Sequence, residues 1–119
     1  MIRRVAERNS EVKEQMRGGN GSVTISHLFS REEWTANVRL CAELTLPPGA
    51  SIGSHQHLRE DEVYIITAGS GLLDDGSGEE RVSTGDAVLT GNGATHTIRN
   101  DGSEPLTLIA VIAMYGAKA

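Results

Sequence analysis

At 119 residues the chain has room for one domain with one hydrophobic core and is too short for two of ordinary size. Its formal net charge is -5 and its eleven Lys and Arg residues are scattered rather than gathered into a stripe, which argues against nucleic acid or an anionic membrane as partner. Cys41 is the single cysteine, so an intrachain disulfide is excluded, and the longest apolar stretch, Leu106 to Tyr115, is too short to span a bilayer as a helix; a cytoplasmic protein is the expectation.

The first fifteen residues are charged and poorly periodic, and Arg3, Arg4, Glu7 and Arg8 have no apolar run behind them, so they do not read as a secretory signal. Residues 1–22 are expected to form an arm, either a frayed helix or an edge strand laid across a dimer, and residues 23–119 the folded domain. Arg17-Gly18-Gly19-Asn20-Gly21 breaks the arm from a first strand, Val23 to Phe29. Ser30 with Glu33 three residues on suggests a capping box before Trp34. From Val38 to Leu46 the chain alternates, with Leu40, Ala42, Leu44 and Leu46 on one face and Arg39, Cys41, Glu43 and Thr45 on the other, as a half-buried strand does.

Beyond Pro47-Pro48-Gly49 come His55 and His57, two residues apart and therefore on one side of an extended strand. Glu62 opens the apolar run Val63 to Ile66, which a hairpin can fold back beside the two imidazoles. Further short runs follow: Gly71 to Leu73, Glu79 to Ser83 after the turn Asp74 to Gly78, and Ala87 to Thr90. A Gly-rich turn, Gly91 to Gly93, then leads into Thr95 to Arg99, which carries His96 near its start, and Leu106 to Met114 closes the series. Fourteen glycines punctuate these runs, and short evenly spaced strands of this kind predict an all-β sandwich or barrel. Leu106 to Met114 is apolar on both faces, which predicts a cover outside the barrel, most simply a second copy in a homodimer.

Gly49, His55, His57, Glu62 and Gly69 in the first stretch, with Gly85, Gly93, His96 and Asn100 in the second, resemble the two motifs of the cupin family. The likeness is to small single-domain bacterial cupins, distantly like the oxalate decarboxylases, and it spans Gly49 to Asn100. Gly91 stands where the family commonly carries proline. The resemblance implies a double-stranded β-helix, a small barrel of two facing antiparallel sheets. It also implies one divalent transition metal ion per chain, held by His55, His57, Glu62 and His96. Three imidazoles and a carboxylate suit manganese, iron, cobalt, nickel, copper or zinc and match calcium or magnesium poorly. On an octahedral ion four protein ligands leave two positions open, whereas on tetrahedral zinc they close the sphere.

Two functions are open on this reading. One is a mononuclear metal-dependent enzyme of the oxygenase, decarboxylase or isomerase class, acting on a small oxygen-rich or carboxylate molecule. The other is a non-catalytic binding module, a sensor, store or accessory for a small molecule or the metal. The manganese decarboxylases of the family carry an arginine shortly before the first metal histidine, where this chain has Ile52, Gly53 and Ser54, so oxalate decarboxylation as such is not expected. Tyr64 shares a strand face with Glu62 and is the candidate to support the metal or a ligand, with Glu60 the other group available as acid or base; plain core packing is the alternative for Tyr64. His27 reads as structural or exposed, Cys41 as a small packed residue, and Gly69, Gly71, Gly85 and Gly93 as turn residues.

Overall fold

The computed structural model describes residues 1–118. Among them are the strands β1 (Asn9–Glu14), β2 (Ser22–His27), β3 (Val38–Leu46), β4 (Ser51–Gln56), β5 (Glu60–Ala68), β6 (Ser70–Asp74), β7 (Glu79–Ser83), β8 (Ala87–Gly91), β9 (Thr95–Arg99) and β10 (Leu106–Met114). They make a six-stranded sheet in the order β1-β2-β3-β10-β5-β8 and a four-stranded sheet in the order β4-β9-β6-β7. Every pairing is antiparallel. The chain passes back and forth between the sheets, which gives the expected double-stranded β-helix.

The alternation of each strand decides what fills the barrel. Leu106, Leu108, Ala110 and Ile112 of β10 point inward, as do Ala42, Leu44 and Leu46 of β3 and Tyr64 and Ile66 of β5. Ile52, Leu73 and Ile98 meet them from the other sheet. Each fully buried side chain of this size contributes about 1.5–3 kcal/mol relative to exposure. The outward residues of β10, Thr107, Ile109 and Val111, are only half-buried in the single chain.

One expectation about a connection needs correcting. β4 and β5 do not form a hairpin, since β4 pairs with β9 in one sheet and β5 with β10 and β8 in the other. β8 and β9 likewise lie in different sheets. Glu62 and His96 therefore reach the two histidines by the facing of sheets, not by hairpin return. The capping box is present, with Glu33 accepting from the Ser30 amide at 2.9 Å at a single 3-10 turn. The arm contributes a strand within its own chain, β1 pairing along its whole length with β2.

Asn100 closes one end of the barrel. It is 2 % exposed, its Nδ2 donates to the carbonyls of Leu46 (2.9 Å) and Glu104 (2.8 Å), and its Oδ1 accepts from the Gly102 amide. Gly69 turns between β5 and β6 at φ 76°, where an added Cβ would stand 2.3 Å from the Pro105 carbonyl oxygen. His96 lies four residues from Asn100 along β9, so the histidines gather at the opposite end.

Candidate metal centre

A bulge aims the first histidine. Along the β4/β9 ladder Ile52 faces Ile98 and His55 faces His96, so three steps on one strand match two on the other. The extra residue reverses the alternation, and Ile52 and His55 both turn inward. His57 lies just past β4, where its amide donates to the Ala94 carbonyl and its carbonyl accepts from the Gly93 amide, at 3.0 and 2.9 Å. The Gly91–Gly93 turn thus anchors the loop that carries His57. Glu62 and Tyr64 approach from β5 of the other sheet.

The four expected residues converge on one point. His96 Nε2 is 2.9 Å from His57 Nε2 and 2.9 Å from His55 Nε2, and Glu62 Oε1 stands 2.9, 3.0 and 3.9 Å from the Nε2 atoms of His57, His96 and His55. All but His55 are fully buried, and the four donor atoms lie within 4.8 Å of one another. They form a cluster that can hold a metal ion.

The far nitrogens show which atoms carry protons. His55 Nδ1 is 2.7 Å from the Gly53 carbonyl, which only accepts, so Nδ1 bears the hydrogen. His57 Nδ1 is 2.8 Å from Glu60 Oε1. Glu60 is bound in turn by the Arg39 fork at 2.7 and 2.8 Å, and that pairing, aided by His57, overcomes burial to hold its carboxyl below the ordinary value; it too only accepts. In the neutral imidazoles this leaves the Nε2 atoms of His55 and His57 to face the centre as electron-pair donors. His96 Nδ1 is buried without a hydrogen-bond partner among the described residues.

Charge at the centre follows the same logic. Burial opposes ionisation of Glu62, but the surrounding imidazoles of His55, His96 and His57 outweigh it and bring its carboxyl down to about 2. Burial pushes the His96 imidazole down, toward its neutral form. Tyr64 stacks on His96 at a centroid separation of 4.8 Å with its hydroxyl 3.3 Å from Nε2, and burial followed by the Glu62 charge drives that hydroxyl well above its usual range.

Of the other residues singled out in the sequence, Glu60 is committed to Arg39 and His57 and does not face the cavity as a free base. His27 is half-exposed, 3.6 Å from Glu11 at the cavity rim. Cys41 is buried at 7 % exposure, and burial raises its thiol. Arg39 was placed by alternation on the outer face with Cys41. A register break overturns this: Ile112 pairs with Leu40 and Ala113 with Val38, leaving Arg39 as the extra residue, and its side chain turns to line the cavity. Sequence reasoning missed the arm's part as well: Met16 and Arg17 wall the same cavity, about 460 Å³ in volume, together with Leu40, Leu44 and Tyr64.

The chain matches the description "Cupin domain" over residues 42–112. It is 39 % identical over 114 residues to a protein of Thermotoga maritima named "Oxalate-binding protein", covering 96 % of this chain and 94 % of that one. The crystal structure of a predicted oxalate decarboxylase from Thermotoga maritima superposes with a TM-score of 0.91 at 38 % identity, over 96 % of this chain and 99 % of the other. A sugar phosphate isomerase of the cupin superfamily from Silicibacter pomeroyi shares the fold at TM-score 0.76 and 18 % identity, over 95 % and 75 %. Motif residues, facing sheets and these matches agree that the chain belongs to the cupin family.

Proposed function

We propose that His55, His57, Glu62 and His96 bind one divalent transition metal ion per chain, and that the ion holds a small chelating carboxylate for metal-centred chemistry of the oxygenase or decarboxylase class. The observation that carries this reading is the convergence of four donor atoms. With its Nδ1 turned to Glu60, His57 faces the centre through Nε2, 2.9 Å from Glu62 Oε1, and His96 Nε2 stands 2.9 to 3.0 Å from His57, His55 and Glu62. One proton on His96 Nε2 relieves only one of the contacts around it. A cation shared by all four relieves every one.

Four separations among the donor atoms are 2.9 to 3.0 Å, the His55–Glu62 one is 3.9 Å, and all four atoms lie within 4.8 Å of one another, close enough to share one ion. Three imidazoles and a carboxylate suit manganese, iron or a similar ion, and on a six-coordinate ion they would leave two positions for a ligand that binds through two oxygens. The bound ion supplies Lewis acidity to that ligand. The protein supplies orientation: Glu60 and Arg39 fix His57, the Gly53 carbonyl fixes His55, and Tyr64 offers a protonated hydroxyl beside the open side. The relative named for oxalate binding supports a carboxylate as ligand.

A binding module without turnover is the second reading, favoured by one observation. With Glu60 committed and the Tyr64 hydroxyl held protonated, neither of these two groups is a free base for proton abstraction.

The outer face of the six-stranded sheet supports a homodimer. Val111 pairs with Val63 and Val63 with Leu89, and Ile109 pairs with Ile65, so these side chains adjoin on one surface where Leu89 is 74 % and Ile65 43 % exposed. Cys41 as a free buried thiol accords with a reducing cytoplasm. Among the described residues no helix is long and apolar enough to cross a membrane.

Elemental analysis of untagged protein purified without chelator tests the central proposal. Close to one manganese, iron or similar ion per chain is expected. Folded protein that contains no transition metal and takes none up defeats the four-ligand reading.

A further inference from the structure

Three cations line the cavity in front of the metal centre: Lys13, Arg17 and Arg39. Arg39 is held by Glu60 and Lys13 by Glu11, which leaves Arg17 as the one without a carboxylate partner among the described residues. Arg17 lies in the turn between β1 and β2, and that turn is pressed on the strand that carries His55. A Cβ built on Gly53 would stand 2.1 Å from the Arg17 carbonyl oxygen, and one on Gly19 would stand 2.2 Å from that of Ser51. The two segments meet backbone to backbone because neither glycine has a side chain.

The same turn holds Gln15 and Arg17 at φ 49° and 54°, in the left-handed region that non-glycine residues enter at a cost of about 1 kcal/mol or more. Tertiary contacts, not local preference, fix the place of Arg17. That place substitutes for a side chain β4 cannot supply: Ile52 is buried in the core and Gly53 is covered by the turn itself. Arg17 is close enough to Tyr64 that its charge partly offsets the upward push of burial and Glu62 on that hydroxyl.

The cavity between the centre and Arg17 is walled by Leu40, Leu44 and Ile112 on its apolar side and measures about 460 Å³. A two-carbon dianion occupies a fraction of such a space, which lies in the range of roughly 300–1,000 Å³ found for larger small-molecule ligands.

We propose that Arg17 binds a second anionic group of the ligand, so that the site selects small dicarboxylates whose chelating end sits on the metal and whose other carboxylate reaches the guanidinium across the apolar wall. This rests on the metal-bound carboxylate reading above. An arginine fork on a carboxylate at the exposed mouth of a cavity is worth roughly a factor of 10 in affinity.

Calorimetric titration of the metal-loaded protein with malate and 2-hydroxybutyrate tests it, because both present the same 2-hydroxycarboxylate head and differ in a terminal carboxylate against a methyl group. Malate is expected to bind about 10-fold more tightly to the wild type. In Arg17→Gln the difference falls below 3-fold, with 2-hydroxybutyrate affinity and metal content unchanged. The Arg17 side chain is exposed and unbonded, and metal content doubles as a check that the variant has folded. Equal affinity of the wild type for both acids, or a preference that survives in Arg17→Gln, overturns the role of Arg17 while leaving the metal reading in place. A loaded wild type that binds neither acid overturns both.

Discussion

At the scale of single residues, metal binding by the cluster would depend on protons held on the far nitrogens of its imidazoles. Glu60 makes Nε2 of His57 a donor of electrons by taking the hydrogen on Nδ1, and Arg39 keeps Glu60 ionised. Glu60→Gln replaces an acceptor with a group that can donate, which favours the opposite tautomer. Metal affinity is expected to fall roughly 10- to 100-fold, as measured by competition with a chromogenic chelator. Removing a ligand outright acts more strongly: His57→Ala and His96→Ala should abolish stoichiometric metal by elemental analysis and keep the sheet signature in circular dichroism. Full occupancy in either variant would remove that residue from the centre. The four ligand types were legible in the sequence because donor chemistry is written in residue identity. Arg39 was not, since its direction depends on a one-residue slip in a ladder with a strand more than sixty positions away.

At the scale of elements, alternation described the interior rows well and failed at the bulges. Ile52 and His55 have opposite parity, so no strict period of two turns both inward, and only the register of β4 against β9 resolves it. The hairpin expectation failed for a related reason: short connections such as 57–59 permit either a return in one sheet or a crossing to the other, and burial of both faces selects the crossing. The small sheet has an edge device of its own. Arg99 pairs with Glu79 at 2.7 and 3.0 Å, and Arg81 with Asp101 at 2.7 and 3.2 Å. Hydrogen bonds from these arginines pull the Glu79 and Asp101 carboxyls below their ordinary values of 4.5 and 3.8. Groups shifted in this direction stabilise the fold above those values and lose the contribution as pH falls through the lower, folded ones. Arg99→Ala is therefore expected to lower the urea midpoint slightly at pH 7 and by less at pH 3, and the pH 7 gap should narrow in high salt because the pairs are exposed. A gap that stays constant with pH would assign the loss to packing instead.

At the scale of the whole molecule, the outer apolar surface predicts assembly. Leu89→Lys places a charge at its most exposed member and is expected to convert a dimer to a monomer in sedimentation velocity, with metal content preserved; a wild type that already sediments as a monomer at all concentrations excludes this interface. The exposure of that surface was readable from the two-sided hydrophobicity of β10, while the arm's pairing within its own chain was not, because β1 has no apolar face and is held by the backbone ladder and polar contacts such as Ser10–Ser26. Asn100 adds one further consequence. It stoppers the end of the barrel away from the histidines, while arm residues 11 and 13–17 help to wall the cavity on their side. The arm's pairing with β2 therefore shapes the entrance as well as the edge of the sheet, and a change in how it packs would alter ligand release together with ligand binding.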